Sequence, residues 1–157
     1  MTDIPIAQRL HRKGQWQGPA LLCALDYSAR LLRRKRLTTS TGERFLVDLA
    51  QTTSLEDGDA LELETGQLVQ ISAAQEALYR VTGPDLVRLA WHVGNRHTPC
   101  QIAPDHLCVQ ADPVIGHMLE HLGARLEPVS APFKPEGGAY GHGRTQSHAH
   151  GATAHAH

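Results

Sequence analysis

The sequence predicts an α+β fold in which a small all-β domain is followed by a ferredoxin-like βαββαβ domain and a disordered histidine-rich tail. Short apolar runs separated by turn residues fill residues 1–73, two helical apolar stripes alternate with extended runs over residues 74–140, and periodicity is lost over residues 141–157. The 157 residues are 41% apolar but only 4% aromatic, which favours small or shared cores and therefore a homodimer.

The first 73 residues have the alternation and the turn residues that are typical of strands. Strands are predicted at residues 20–25, 45–49, 60–63 and 67–71. Gly42 and Gly58 lie in turn sequences that tolerate positive φ, and Thr65-Gly66 predicts a hairpin. We expect an all-β unit that docks a protein.

Two helices are predicted after residue 82. Gly83-Pro84 indicates the start of the first, with Pro84 at its first helical position, and Gly94-Asn95 indicates its end. Asp112-Pro113 predicts the N-cap and first turn of the second, which Gly123 ends. Both helices have an apolar stripe at i, i+3, i+4 and i+7 spacing: Leu86, Leu89, Ala90 and Val93, then Ile115, Met118, Leu119 and Leu122. With extended runs at residues 76–81, 100–103, 106–110 and 125–131, the element order is the ferredoxin-like β-α-β-β-α-β.

Histidine is the unusual feature of the composition, with eleven residues in the whole chain. Those near the C-terminus alternate with Ala and Gly, unlike the uninterrupted run of an expression tag. Neutral imidazoles on a flexible backbone bind Ni(II), Zn(II) or Cu(II), and the Irving–Williams order favours Cu(II) in vitro. We therefore predict that the tail binds metal through His142, His148, His150, His155 and His157. A low-complexity tail with no role is the alternative.

Histidines outside the tail give a second set of candidates. His97 lies four residues beyond Val93, so a continued helix would point it along the apolar stripe, toward the core edge or an interface. A lone histidine there is usually structural, but two copies meeting at a two-fold axis would bring two imidazoles to one ion. His117 and His121 are four apart, opposite the apolar stripe, and could clamp one ion, although exposed residues without a ligand role are the simpler interpretation. The others are interpreted as structural: His11, His92 and His106.

Charge, cysteine content and missing motifs exclude several classes of protein. The net charge of −1 disfavours nucleic acid and membranes as partners, so the basic run at residues 30–36 indicates a solvated strand edge or a docking site for an acidic protein. Three cysteines without a CxxC pair, no secretory leader and no apolar span favour a reducing cytoplasm, with Cys100 and Cys108 as buried inert thiols. No GxSxG, GxxxxGK[ST], HExxH or dinucleotide fingerprint is present, so we expect no enzymatic activity.

Specific motifs around the two helices and before the tail point to one family. The first group is Gly94-Asn95-Arg96-His97, Pro99 and Gln101-Ile102, then Met118-Leu119 and Leu122-Gly123. The second is PFKPEGGAY at residues 132–140, directly before the histidine-rich tail. Together these motifs resemble the UreE family of urease accessory proteins, which are nickel metallochaperones.

The resemblance implies a β domain followed by a dimerising ferredoxin-like domain, with nickel bound by His97 at the dimer interface. It also implies delivery of Ni(II) to the urease apoprotein complex with urease accessory proteins including a GTPase, and no catalysis. Some members carry extra histidines where this chain has Gln110-Ala111-Asp112-Pro113, so the resemblance implies no peripheral site there. Two alternatives remain open: storage or buffering of nickel or zinc by the tail alone, and an adaptor role for the β domain.

Overall fold

The structure is a computed structural model that describes residues 4–137. The chain divides into two compact units, the first ending at Ala74 and the second beginning at Gln75. The described residues are mostly β-strand with two helices, as the α+β class predicts. Neither helix is long and apolar enough to cross a membrane.

The first unit is built from a single six-stranded sheet. Its strands are β1 (Ile6–His11), β2 (Ala20–Leu25), β3 (Leu31–Thr38), β4 (Arg44–Ser54), β5 (Ala60–Leu63) and β6 (Leu68–Ala73). The spatial order is β2-β6-β5-β1-β4-β3, with β1 parallel to β4, β2 parallel to β6 and the other neighbours antiparallel. Phe45 is the only aromatic side chain in the core that this unit forms within the described residues, which agrees with the low aromatic content.

Turns and a buried carboxylate hold the strands of this unit in place. Gly66, with φ 92°, lies between the antiparallel strands β5 and β6, so the predicted hairpin is present. Asp59, only 1% exposed, accepts hydrogen bonds from Arg12 Nη1 at 2.8 Å and from the backbone N–H groups of Lys13 at 2.9 Å and Glu56 at 2.8 Å. These donors compensate for the desolvation of the carboxylate and fix the turn before β5.

The basic run forms β3, which lies at one edge of the sheet. Residues 33–36 are exposed, but Arg30 is only 3% exposed and is not part of this basic surface. Arg30 Nη1 donates a hydrogen bond to the Leu25 carbonyl at 2.9 Å. Arg34 pairs with Asp48 on β4 at 3.0 Å. Consecutive exposed cations on an edge strand oppose pairing with another sheet, because the approaching strand would bury their charge.

The second unit is a four-stranded antiparallel sheet with two helices. Its elements are β7 (Gln75–Thr82), α1 (Leu86–Asn95), β8 (Gln101–Ile102), β9 (Leu107–Gln110), α2 (Pro113–His121) and β10 (Arg125–Pro132), in the spatial order β10-β7-β9-β8 for the strands. The predicted helical stripes meet the sheet in one core, whose buried members are Val81, Leu89, Val93, Leu107, Val109, Ile115 and Leu119.

The start of α2 was predicted correctly, whereas the start of α1 was not. α2 begins as predicted, since the Asp112 side chain accepts the Val114 N–H at 2.8 Å and Pro113 occupies the first turn. α1 begins at Leu86, so the prediction that Pro84 is its first residue is wrong. Its N-cap is Asp85, whose carboxylate accepts the Arg88 N–H at 3.1 Å and so satisfies a free donor of the first turn.

Candidate metal site

The turn that ends α1 contains His97. The Thr98 N–H donates to the Val93 carbonyl at 3.2 Å, and the His97 N–H donates to the Gly94 carbonyl at 2.9 Å. These two bonds define a Schellman motif, in which the residue after the C-cap adopts the left-handed conformation. That residue is His97, with φ 57°, the only non-glycine residue with positive φ in the described part of the chain.

This geometry confirms where α1 ends and corrects how it ends. The helix ends at Asn95, as Gly94-Asn95 predicted, but both residues are helical and the Schellman bonds place the left-handed residue at His97. The chain leaves the helix before His97, so the projection of this residue onto the core stripe does not hold, and its side chain is exposed. A left-handed non-glycine residue costs roughly 1–2 kcal/mol, and such strain is concentrated at functional sites.

After β10 the chain crosses to the opposite edge of the sheet. The Lys134 N–H donates to Gln101 Oε1 at 2.8 Å, and the Glu136 N–H donates to the Cys100 carbonyl at 2.9 Å. β10 and β8 are the two edge strands, so residues 133–136 form a crossing segment between them. Phe133, at 0% exposure, anchors the start of this crossing segment.

The crossing segment brings the chain back to the turn after α1. Glu136 is bonded to Cys100, which follows His97 by three residues. An extended chain spans about 3.3–3.6 Å per residue, so the six residues from Glu136 to His142 reach about 20 Å. The tail ligands that the sequence predicts lie outside the described residues: His142, His148, His150, His155 and His157.

Three other described histidines make contacts with neighbouring side chains. His11 Nε2 lies 2.7 Å from Glu62 Oε1, and His106 Nδ1 lies 2.7 Å from Asp105 Oδ1. His92 packs edge-to-face against Trp91 with ring centroids 5.1 Å apart. Within residues 4–137 no three His, Cys, Asp or Glu side chains are gathered closely enough to hold an ion. His97 therefore does not belong to a site with three protein ligands within residues 4–137.

The cysteines are less suited to metal binding than the histidines at neutral pH. Cys23, Cys100 and Cys108 are all free thiols. Burial raises the pKa of Cys23 and of Cys108, and burial together with the nearby Cys108 and Glu136 raises the pKa of Cys100 to about 11. The thiolate is the form that binds metal, so a raised pKa disfavours coordination.

α1 presents an exposed apolar face away from the core. Val87 is 83% exposed and Trp91, one helical turn further along, is 62% exposed. Together with Asp85, Arg88 and His92 these two residues line an open depression of about 460 Å³. Large apolar residues that are exposed next to each other mark interaction surfaces, and this α1 apolar face lies on the helix whose last turn leads to His97.

A second surface lies on the first unit beside its basic edge strand. A groove of about 660 Å³ has Ile4, Ile6 and Leu46 as its apolar lining. Its charged lining is Arg34, Lys35, Arg36 and Glu64. Three cations against one carboxylate make this β3 groove electropositive, and Asp48 neutralises only Arg34.

Comparison with known proteins identifies the family. The model of the UreE urease accessory protein N-terminal domain matches residues 4–74, and that of the C-terminal domain matches residues 68–157. The chain is 57% identical over 152 residues to the urease accessory protein UreE of Cereibacter sphaeroides, covering 96% of this chain and 83% of the relative. It is 57% identical over 148 residues to that of Ruegeria pomeroyi (94% and 99% covered) and 52% identical over 142 residues to that of Paracoccus denitrificans (90% of each).

Both matched domains are domains of urease accessory proteins. The chain therefore belongs to the UreE family, as the motifs around His97 and before the tail predicted.

The left-handed conformation of His97 predicts an unusual stability series. His97→Gly should be more stable than His97→Ala by about 1 kcal/mol, because glycine adopts positive φ without the clash of a Cβ atom. Both variants lack the imidazole, so the difference between them isolates the backbone strain. Urea unfolding of the metal-free proteins at one pH measures it. An alanine variant as stable as the glycine variant would show that this turn is not strained.

Proposed function

We propose that this chain is a cytoplasmic nickel metallochaperone, which binds Ni(II) through His97 and the tail histidines and delivers it to the urease apoprotein complex with urease accessory proteins including a GTPase. Its role is binding and transfer, with no catalytic step. The observation that carries the proposal is an exposed imidazole at a left-handed position that favours glycine, in a chain of the UreE family. A ligand role explains why histidine occupies a position where it costs stability.

A single His97 cannot complete the coordination of nickel. Square-planar Ni(II) takes four ligands, so two copies of His97 across a two-fold axis would supply half of them. The crossing segment supports a contribution from the tail, because Glu136 is held beside Cys100 and the six residues from Glu136 to His142 can span about 20 Å when extended. In this arrangement His97 is the permanent ligand, and the tail histidines capture and release the ion.

Dimerisation is proposed through the second unit, which we interpret as ferredoxin-like from its element order and its antiparallel sheet of order β10-β7-β9-β8. The α1 apolar face supports this, because burying Val87 and Trp91 against a second copy would remove the two most exposed large apolar side chains of this helix from water. The same contact would bring the turns after α1 from two chains toward each other.

The dimer proposal predicts different outcomes for two pairs of exposed apolar residues. Val87→Ser/Trp91→Ser should shift the protein toward monomer at micromolar concentration, because it removes the apolar contact. The matched control is Val114→Ser/Ile102→Ser, whose parent side chains are 64% and 52% exposed on α2 and β8. Sedimentation velocity compares both with the parent chain. A parent chain that is monomeric even with nickel present would overturn the interface.

Docking of the urease machinery is proposed on the first unit. The β3 groove combines an apolar floor with exposed Lys35 and Arg36, a surface that complements an acidic segment of a partner protein. Complementary charge mainly raises the rate and specificity of such encounters.

The alternative is a storage or buffering protein for nickel or zinc. It is favoured by the number of histidines in the last sixteen positions, five in all, since such a tail offers capacity without needing a partner. The two functions differ in whether the tightest site depends on His97.

Nickel titration of the full chain by calorimetry separates these functions. We expect one tight Ni(II) per two chains at pH 7.5, and His97→Gly and His97→Ala should each weaken this site by about 100-fold or more, equivalent to ~2.7 kcal/mol. His150→Ala should have a much smaller effect, because a neighbouring tail histidine can replace it. Affinity should fall toward pH 6, since imidazole, with an ordinary pKa of about 6.5, coordinates only when neutral.

The same titration can contradict the proposal if the His97 and His150 variants lose nickel affinity to the same extent. Equal and modest losses in His97→Gly and His150→Ala would make His97 an ordinary residue and favour storage by the tail.

A further inference from the structure

α2 carries two histidines one helical turn apart on its solvent face. His117 and His121 are both exposed and both lie within the helix Pro113–His121. Residues at i and i+4 of an α-helix have Cβ atoms about 5–6 Å apart, a spacing at which two imidazoles can bind one ion. We propose that His117 and His121 form a second metal site, which takes one divalent ion of the Ni(II), Cu(II) and Zn(II) class and does not depend on His97.

These two imidazoles are available for binding, in contrast to those of His11, His92 and His106. Within residues 4–137, neither the His117 side chain nor the His121 side chain makes a hydrogen bond, ion pair or ring contact. His11 and His106 are each bonded to a carboxylate, and His92 packs on Trp91. An ion at α2 would therefore displace water alone and break no existing contact.

The backbone of α2 is held rigidly against the sheet, so the spacing of the two histidines is fixed in advance. Ile115 and Leu119 on the opposite face are 7% and 0% exposed. Gly116 lies so close to the sheet that a Cβ atom there would be 2.9 Å from Tyr79 Cε2. A preorganised pair of ligands loses less conformational entropy when the ion binds, which raises affinity.

The chemistry of this site is that of a weak, exchangeable carrier site. Glu120 precedes His121, giving the H-x-x-E-H order in which two histidines bind zinc in one class of peptidase. Catalytic zinc sites have three protein ligands, whereas no group of three potential ligands is assembled among residues 4–137. Water would complete the coordination sphere at α2, so the ion can leave quickly.

Equilibrium dialysis of the full chain against Ni(II) tests the site. His117→Ala/His121→Ala should lower the saturating stoichiometry by about one ion per chain, and each single variant should weaken that site by at least tenfold, because chelation by two imidazoles is lost. The matched control, His11→Ala/His106→Ala, also removes two imidazoles and should leave the stoichiometry unchanged. Alanine favours helix, so both substitutions on α2 should preserve the fold, which circular dichroism verifies.

A residue-specific readout separates this site from His97 and the tail. Substoichiometric Cu(II) should broaden the amide NMR signals of α2 in the parent chain and in His97→Gly, but not in His117→Ala/His121→Ala. Broadening in His97→Gly would confirm the independence of the site even if nickel delivery fails. Two results would overturn the proposal. One is an unchanged nickel stoichiometry in His117→Ala/His121→Ala, and the other is that Cu(II) does not broaden the α2 signals of the parent chain.

Discussion

The two hydrogen bonds that close the last turn of α1 determine where the candidate ligand His97 is held. They depend on a helix whose Leu89 and Val93 are fixed in the core of the second unit. Because Val93 also accepts the Thr98 N–H, the same residue that anchors the helix also sets the turn. The Schellman geometry then places the imidazole outside the core at the cost of a left-handed backbone.

The second constraint is the crossing segment, which joins the two edges of the four-stranded sheet. Its bond from Glu136 to Cys100 fixes the last part of the described chain near the turn after α1. A flexible set of ligands gains effective concentration when its attachment point is close to a fixed ligand. A left-handed, exposed His97 and an exposed apolar helix face thus occur in one unit, which the family match identifies as the C-terminal domain of a urease accessory protein.

The sequence predicted the elements with strong local signals. Apolar spacing identified both helices, Asp112-Pro113 identified the start of α2, and Gly123, with φ 92°, its end. Strand β1 was not identified, because it lacks a clear alternation. The cations of β3 were interpreted as a solvated strand edge or a docking site, and β3 does lie at the edge of its sheet. Burial of Arg30 was also missed, because it was counted with the exposed basic run, whereas its side chain donates a hydrogen bond to the Leu25 carbonyl.

For the candidate site, the family resemblance indicated His97 as a ligand, but no pattern in the sequence indicated its backbone geometry. Gly94-Asn95 predicted where the helix ends, but positive φ at a histidine is uncommon, so the left-handed conformation of His97 was not predicted. The crossing segment could not be foreseen, because its bonds join residues more than thirty positions apart in the chain. The exposure of His117 and His121 was predicted from their position opposite the apolar stripe, whereas the contacts of His11 and His106 with carboxylates were not.

The most direct test of the account is nickel-dependent activation of the urease apoprotein complex, reconstituted with its accessory proteins and limiting Ni(II) supplied on the purified chain. The parent chain should support activation, and His150→Ala should remain close to it. His97→Gly, which keeps the turn and lacks the imidazole, should activate at least tenfold more slowly at equal nickel loading. Activation by His97→Gly at the rate of the parent chain would contradict the account, because nickel delivery would then not depend on the ligand that the turn after α1 holds.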